Sequence, residues 1–187
     1  FRDSNWSPDF ASSTVKSLEL YSKENGLLAN KIDMVVGFTP TVIEELLKIV
    51  GPIKVRGIEF TANNFIEKLE YEVEYDYKKR GVSFDERKKI TGELAEILFK
   101  RVAGNIFLNW SKYLNLADRA TKEKHIMAYS ADENIQKIIA LKNFAGKIKN
   151  VEGDYLMWVD ANLGALKTAA YIDRQIFYTI AKAANGK

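Results

Sequence analysis

The sequence lacks the residues on which many catalytic and metal sites depend. It contains no cysteine, which excludes disulfides, thiol catalysis and cysteine-ligated metals. His125 is the only histidine, and its place beside an apolar run favours a structural role. No apolar run reaches the about 18–20 residues that span a bilayer. P-loop, dinucleotide-binding, zinc-ligand and nucleophile-elbow motifs are also missing.

What the sequence does contain is the composition of a folded domain. Its 187 residues are 47% hydrophobic and 12% aromatic, with only three prolines. This length is enough to bury a core, so we expect residues 1–187 to form a single domain. The formal net charge of +3 is lower than nucleic-acid-binding proteins usually carry. We therefore expect no nucleic-acid partner.

Hydrophobic periodicity predicts alternating helices and strands. A helix over Ser12–Gly26 places Val15, Leu18 and Tyr21 on one face, and Thr39 and Pro40 are suited to start another. The other predicted strands are Ile32–Phe38, Ile53–Phe60 (with a central glycine), Lys124–Ser130, Tyr155–Val159 (buried) and Ala170–Ile180 (half-exposed). The other predicted helices are one that follows Thr61, one that starts at Asp85, and two over Ile106–Arg119 and Ala131–Asn143. This order predicts an α/β fold, a layered single domain with helices packed on a mixed β-sheet.

One polar cluster follows the predicted buried strand Tyr155–Val159, in the stretch YLMWVDANLGALKT. It comprises Asp160, Asn162 and Lys167. In layered α/β sheets, ligands bind just beyond the carboxyl ends of strands. Carboxylate, amide and ammonium groups there would suit a metal-bridged phosphate or a polyol. The alternative is a turn in which the Asp and Asn side chains bind local main-chain groups.

A second polar cluster opens the chain, in FRDSNWSPDF. Arg2 would suit a phosphate, and Asp3 and Asp9 would serve as a base or as metal ligands. Asn5 lies between them as a further ligand-binding candidate. The alternative is a loop pinned by Asn and Asp caps, with its aromatic residues anchored in the core.

Several motifs resemble a bacterial family of unknown function, the DUF family numbered four thousand and twelve. They are RDSNWSPDF, IDMVVGFTPTVIEELLKIVGPIKV, TANNFIEKLEYEVE and GDYLMWVDANLGALKTAAYIDRQI, in that order. The resemblance implies an extracytoplasmic domain held by an N-terminal membrane segment, with further strands upstream of Phe1. If so, an upstream segment or a second chain would complete an open sheet edge.

A more distant similarity is to the LytR-CpsA-Psr phosphotransferases, which attach lipid-linked glycopolymers to the cell wall. In those enzymes arginines surround a pyrophosphate and carboxylates surround a magnesium ion. The similarity implies such roles for Arg2, Asp3, Arg80, Asp85 and Arg87.

Two functions follow from these patterns. The first is a cell-envelope binding or structural module for a wall glycopolymer or an envelope protein, without a cofactor. The alternative is a magnesium-dependent, phosphotransferase-like enzyme acting on a lipid-linked glycopolymer. The catalytic candidates are Arg2, Asp3, Asp85 and Arg87, and the ligand-binding candidates are Asn5, Asp160, Asn162 and Lys167.

Overall fold

The computed structural model describes residues 4–77, 79–83, 86–148, 151–153, 155–159 and 172–179. The chain divides into two compact units, residues 1–149 and 150–187. Within the described part of the chain, no helix has both the length and the apolarity needed to cross a bilayer. The helices are α1 (Phe10–Lys23), α2 (Pro40–Val50), α3 (Phe65–Tyr71), α4 (Lys89–Asn105), α5 (Trp110–Lys122) and α6 (Glu133–Leu141). The strands are β1 (Met34–Phe38), β2 (Ile53–Val55), β3 (Ile58–Phe60) and β4 (Ile126–Ser130).

The mixed α/β composition predicted from the sequence is confirmed. The strands form two antiparallel pairs, β1 with β4 and β2 with β3. Because these strands are short, each pair depends on helices to bury its apolar side chains.

The larger core surrounds the β2–β3 hairpin. Arg56 and Gly57 connect its strands with φ angles of 51° and 83°, as a two-residue hairpin turn requires. The predicted central glycine therefore marks a turn. Phe60 and Ile53 are almost fully buried, and their cluster includes residues of α2, α3 and α4. Burial of this apolar surface is the main stabilising contribution in this half of the unit.

The second strand pair forms a separate ribbon in which Val36 lies opposite Ala128. Helices α1, α5 and α6 all contact β4. Val42 of α2 packs with Leu116 and Ala120 of α5 in a smaller apolar cluster. Helix α2 contributes to both clusters and so connects the two halves of the first unit.

Helix α2 begins at Pro40 as predicted, but the Thr39 side chain does not cap it. The Thr39 hydroxyl instead lies 2.8 Å from Nδ1 of His125. The Thr39 N–H donates to the His125 main-chain carbonyl at 2.9 Å. His125 therefore helps to align the end of β1 with the start of β4.

The segment YEVEYDY, whose alternation also fits a strand, is helical. Helix α3 continues directly into a π-helical turn over Glu72–Asp76. Thr61 precedes this helix without capping it. Asn64 occupies the N-cap position, and its side-chain oxygen accepts from the Thr61 N–H and makes no capping hydrogen bond to the helix.

Two predicted strands near the C-terminus are wrong. Tyr155–Val159 is neither a strand nor buried, since the side chains of Tyr155 and Val159 are 56% and 57% exposed. Residues 172–179 are likewise outside any strand. A strand is stable only when its main chain pairs with a neighbour, and no described strand pairs with either segment. The prediction that Asp160 follows the end of a strand is therefore wrong as well.

Candidate functional site

A mostly apolar recess of the first unit lies between α1 and β1, and we call it the α1–β1 groove. It has a volume of about 610 Å³ and a mostly apolar lining. The described residues that line it are Asn5, Ser7, Pro8, Phe10, Ser13, Thr14, Ser17, Leu18, Tyr21, Ile32, Val35, Gly37, Phe38, Thr39 and Met127. None of these residues is charged.

Asp9 fixes the helix that forms one wall of the groove. Its Oδ1 accepts from the Ser12 N–H at 2.9 Å, which caps the first turn of α1. Its Oδ2 accepts from the Ile148 N–H at 3.1 Å. Burial alone would raise the pKa of Asp9, but these hydrogen bonds and the charge of Lys147 bring the pKa below its ordinary value. Asp9 thus ties the start of α1 to a segment 139 residues away.

The helix wall presents small hydroxyl side chains. Ser13 and Thr14 are the buried residues of α1, whereas Val15, expected on its apolar face, is 51% exposed. The Ser13 hydroxyl donates to the Ser7 carbonyl at 2.7 Å, and the Ser17 hydroxyl donates to Oγ of Ser4 at 2.7 Å. These bonds hold the opening loop against the helix and leave a wall that is polar but uncharged.

The strand wall is shaped by a close approach between Gly37 and Phe10. A Cβ atom on Gly37 would lie 2.6 Å from the ring of Phe10. The Phe10 N–H donates to the Gly146 carbonyl at 3.1 Å, which fixes the backbone from which this ring projects. Because glycine has no side chain, position 37 leaves room for the Phe10 ring at the floor of the groove.

A second recess, which we call the arginine cavity, lies beside the β2–β3 turn. It has a volume of about 220 Å³ and is lined by three arginines, Arg56, Arg80 and Arg87. Glu72, Tyr77, Val82 and Ile90 complete its lining. This concentration of guanidinium groups makes it a candidate anion site.

Each arginine of this cavity already contacts a carboxylate. Arg56 binds Glu93 through Nε at 2.9 Å and Nη2 at 2.5 Å. Arg80 donates to Asp76 at 2.8 Å and to Glu72 at 3.2 Å. An incoming anion would have to compete with these partners.

Arg87 is the most enclosed of the three, with a side chain that is 13% exposed. Its Nη1 donates to the Val73 carbonyl at 3.0 Å and to Glu74 at 2.8 Å. The guanidinium also lies over the Tyr77 ring, 5.7 Å from its centroid, at cation–π distance. These contacts join the π-helical turn to the chain that enters α4.

The charged form of the Glu72 carboxyl group is disfavoured at this cavity. Burial raises the pKa of its carboxyl, and the charge of Asp76 raises it further, against the opposing effect of Arg80. A raised carboxyl pKa means that the charged form is less favourable in the folded protein than in the unfolded chain.

The structure locates four of the residues predicted to form a site. Asn5 lines the α1–β1 groove and Asp9 caps α1 beside it, whereas Arg80 and Arg87 both line the arginine cavity. The structure thus brings Arg80 and Arg87 together, but the two recesses have no lining residue in common. The other candidates lie outside the described residues: Arg2, Asp3, Asp85, Asp160, Asn162 and Lys167.

Sequence reasoning missed Arg56 and Gly37. The residues around Arg56 in the sequence do not indicate a site, because Arg56 meets Arg80 and Arg87 only when the hairpin turn has formed. Gly37 could have been identified from the sequence, because a glycine within an apolar strand indicates a close approach by another group.

The described residues contain no group of three or more Asp, Glu, His or Cys side chains arranged to hold a metal ion. Asp3 and Asp85, the carboxylates that the LytR-CpsA-Psr similarity assigns to magnesium, lie outside the described part of the chain. The described residues alone therefore do not form a magnesium site.

Comparison with known proteins finds one family model that matches part of the chain. Residues 1–74 match the model described as Protein of unknown function (DUF4012). The match confirms the family resemblance over the first three of the sequence motifs, whereas the fourth motif lies beyond the matched residues. The match covers α1, β1, α2 and the β2–β3 hairpin, and hence most of the groove lining. No curated protein and no solved structure matches the chain.

Proposed function

We propose that this chain, whose residues 1–74 match the DUF4012 model, is a non-catalytic binding module of the bacterial cell envelope. Its ligand is a wall glycopolymer or an envelope protein, bound in the α1–β1 groove. The observation that carries this proposal is the uncharged, largely apolar groove, most of whose lining lies in the family-matched part of the chain.

The size and chemistry of the groove support a binding role. Its volume of about 610 Å³ falls within the range of about 300–1,000 Å³ typical of ligand sites. Hydroxyl and amide groups on an apolar wall orient a ligand without requiring a counter-charge. Such a surface suits uncharged sugar rings or peptide groups better than phosphates.

The envelope location rests on the family resemblance. That resemblance is to extracytoplasmic domains held by an N-terminal membrane segment, and we propose the same arrangement for the full-length protein. The net charge of +3 would favour approach to anionic wall polymers, even though the groove itself is neutral.

The proposal is tested by titrating the ¹⁵N-labelled 187-residue chain at low salt, once with purified wall glycopolymer and once with uncharged extended peptides. We expect one of these ligands to shift the amide signals of α1 and β1. The proposal is overturned if neither ligand shifts them.

Two variants on α1 make this test specific. Ser17 lines the groove, so Ser17→Trp fills it, whereas Val15 does not line it and is 51% exposed. We expect Ser17→Trp to remove binding and Val15→Trp to keep it. Equal binding by both variants would place the ligand elsewhere and refute the groove as the site.

A second candidate function has one observation in its favour, the convergence of three arginines on the arginine cavity. The candidate is a magnesium-dependent, phosphotransferase-like enzyme acting on a lipid-linked glycopolymer. Pyrophosphate with magnesium would then bind the chain and shift the side-chain signals of Arg56 and Arg80. If millimolar pyrophosphate leaves those signals unchanged, this candidate is rejected.

A further inference from the structure

We infer that β1 accepts an extended, uncharged peptide segment of a protein partner as an added strand, with alternate peptide side chains entering the α1–β1 groove. The inference deepens the proposed function and rests on it, because it specifies which class of ligand occupies the groove. It depends on the hydrogen-bonding pattern of β1, its exposure and the groove lining.

The hydrogen bonds at the ends of the ribbon show which main-chain groups of β1 face outward. The Thr39 N–H donates to the His125 carbonyl, and the Ala131 N–H donates to the Asp33 carbonyl. In an antiparallel pair the bonded positions alternate. In this register the groups of Val35 and Gly37 therefore point towards β4. Those of Met34, Val36 and Phe38 point away from it.

The outer edge of β4 is covered. The Ala128 N–H donates to the Phe144 carbonyl at 2.8 Å, and the Ser130 N–H donates to the side-chain oxygen of Gln136 at 2.8 Å. Among the described residues, no hydrogen bond joins the outward main-chain groups of β1 to another segment. In the part of the chain that the structure describes, the outer edge of β4 is therefore covered and that of β1 is open.

The open edge lacks the features that keep edge strands from pairing. The strand reads MVVGF, without a charged residue or proline, whereas protected edges usually carry one of these. Met34, Val36 and Phe38 are 48%, 53% and 54% exposed. Their outward donors and acceptors recur about every 6.8 Å, which matches the repeat of an extended peptide. A sugar polymer has no such alternation of donor and acceptor.

The side chains on one face of the added strand would pack into the groove. Gly37, Phe38 and Thr39 are consecutive and all line it. Side chains of successive strand residues point to opposite faces of the strand. A recess that is lined by all three of these residues must therefore reach the edge of the strand. The peptide would therefore lie between β1 and α1, hydrogen-bonded to the strand and with alternate side chains against the helix. A charged side chain there would be desolvated without a partner, so the segment is uncharged.

A second copy of β1 is a poorer occupant. Consider two copies of β1 paired antiparallel, with Val36 of one opposite Val36 of the other. The second copy would then direct only its Val35 and Gly37, and Asp33 beyond them, towards the groove. These side chains are too small for a recess of about 610 Å³. The pairing would also bring a carboxylate against the uncharged wall. A segment with larger apolar side chains at alternate positions fills it better.

The test uses end-capped, fluorescent peptides of about eight residues, in which Leu or Val alternates with Ser or Thr. Two N-methylated versions are compared, one methylated at the odd positions and the other at the even positions. N–H groups of alternate residues face opposite edges of a strand. We expect one version to bind the 187-residue chain like the parent peptide and the other to bind about tenfold more weakly or worse.

A protein variant tests the same contact from the other side. Val36→Pro removes an outward N–H and leaves the β4 ladder intact, since proline is tolerated where an edge N–H faces solvent. We expect it to fold and to bind the peptide about tenfold more weakly. If Val36→Pro fails to fold, the N-methylated peptides still decide, because they leave the protein unchanged.

The outcomes separate this inference from the proposed function. Binding by only one N-methylated version supports strand addition. Equal binding by both versions, or groove shifts with glycopolymer and none with peptide, overturns the inference and leaves the binding module in place. Concentration-dependent dimerisation that peptide does not disrupt also overturns it, because a second copy would then occupy the edge.

Discussion

The ring of Phe10 occupies the space that a side chain on Gly37 would need, 2.6 Å from the position of its Cβ atom. Phe10 belongs to the opening motif and Gly37 to the apolar strand, and both lie within the family-matched residues 1–74. This contact connects the two motifs physically and forms the floor of the α1–β1 groove.

Gly37→Ala tests that contact. The added methyl group would push the Phe10 ring towards the groove, so we expect a loss of about 1–2 kcal/mol of stability and weaker ligand binding. Urea denaturation measures the first effect and titration the second. Gly92→Ala is the matched control, because Gly92 lies in α4 and a methyl group added there would meet no neighbouring group within 4 Å. It should stabilise the protein by about 0.5–1 kcal/mol.

Asp9→Ala tests the carboxylate that joins α1 to Ile148. It removes a helix cap and a long-range acceptor, so we expect a loss of about 2 kcal/mol. Asp132 caps α6 by accepting from the Asn134 and Ile135 N–H groups within the same turn. Asp132→Ala should therefore cost only about 1 kcal/mol. Equal losses in the two variants would show that the bond to Ile148 contributes nothing.

The pH dependence of Asp9 has a defined sign. Its pKa is lowered from 3.8 in the folded protein, so its contribution is complete above that value. The contribution is lost as the pH falls through the folded pKa. The difference in unfolding free energy between the wild type and Asp9→Asn should therefore shrink below about pH 4. A difference that stays constant down to about pH 2 would contradict the lowered pKa.

Arg87→Lys tests the contacts at the arginine cavity. Lysine cannot reach the Val73 carbonyl and Glu74 together while lying flat on Tyr77. We therefore expect the substitution to destabilise the chain by about 2 kcal/mol in thermal or urea unfolding. Lys100→Ala is the control, since the Lys100–Glu96 pair is 74% and 66% exposed and should contribute less than about 0.5 kcal/mol. An unchanged stability in Arg87→Lys would mean that Arg87 has no structural role.

Local pattern was enough to predict most elements of the first unit. The start of α2 at Pro40 and the turn at Gly57 follow from the backbone preferences of proline and glycine, which act within a few residues. The role of Thr39 could not be predicted in this way. Its hydroxyl meets His125, which is 86 residues away, and the sequence gives no sign of that partner.

The candidate site was predicted only in part. The opening motif suggested ligand chemistry, but its Asp9 carboxylate is used for capping and for the bond to Ile148. Tyr155–Val159 is as apolar as a buried strand, yet apolarity does not provide a pairing partner. The groove itself forms where α1 meets β1, so no single segment of sequence contains it.

Amide hydrogen exchange along β1 tests the central claim most directly. In the free chain we predict fast exchange at the N–H groups of Val36 and Phe38, which face the open edge, and slow exchange at Val35 and Gly37, which face β4. Bound peptide should slow exchange at Val36 and Phe38 by about tenfold or more. Slow exchange at Val36 and Phe38 in the free chain, or no change on adding peptide, would contradict the proposed strand addition.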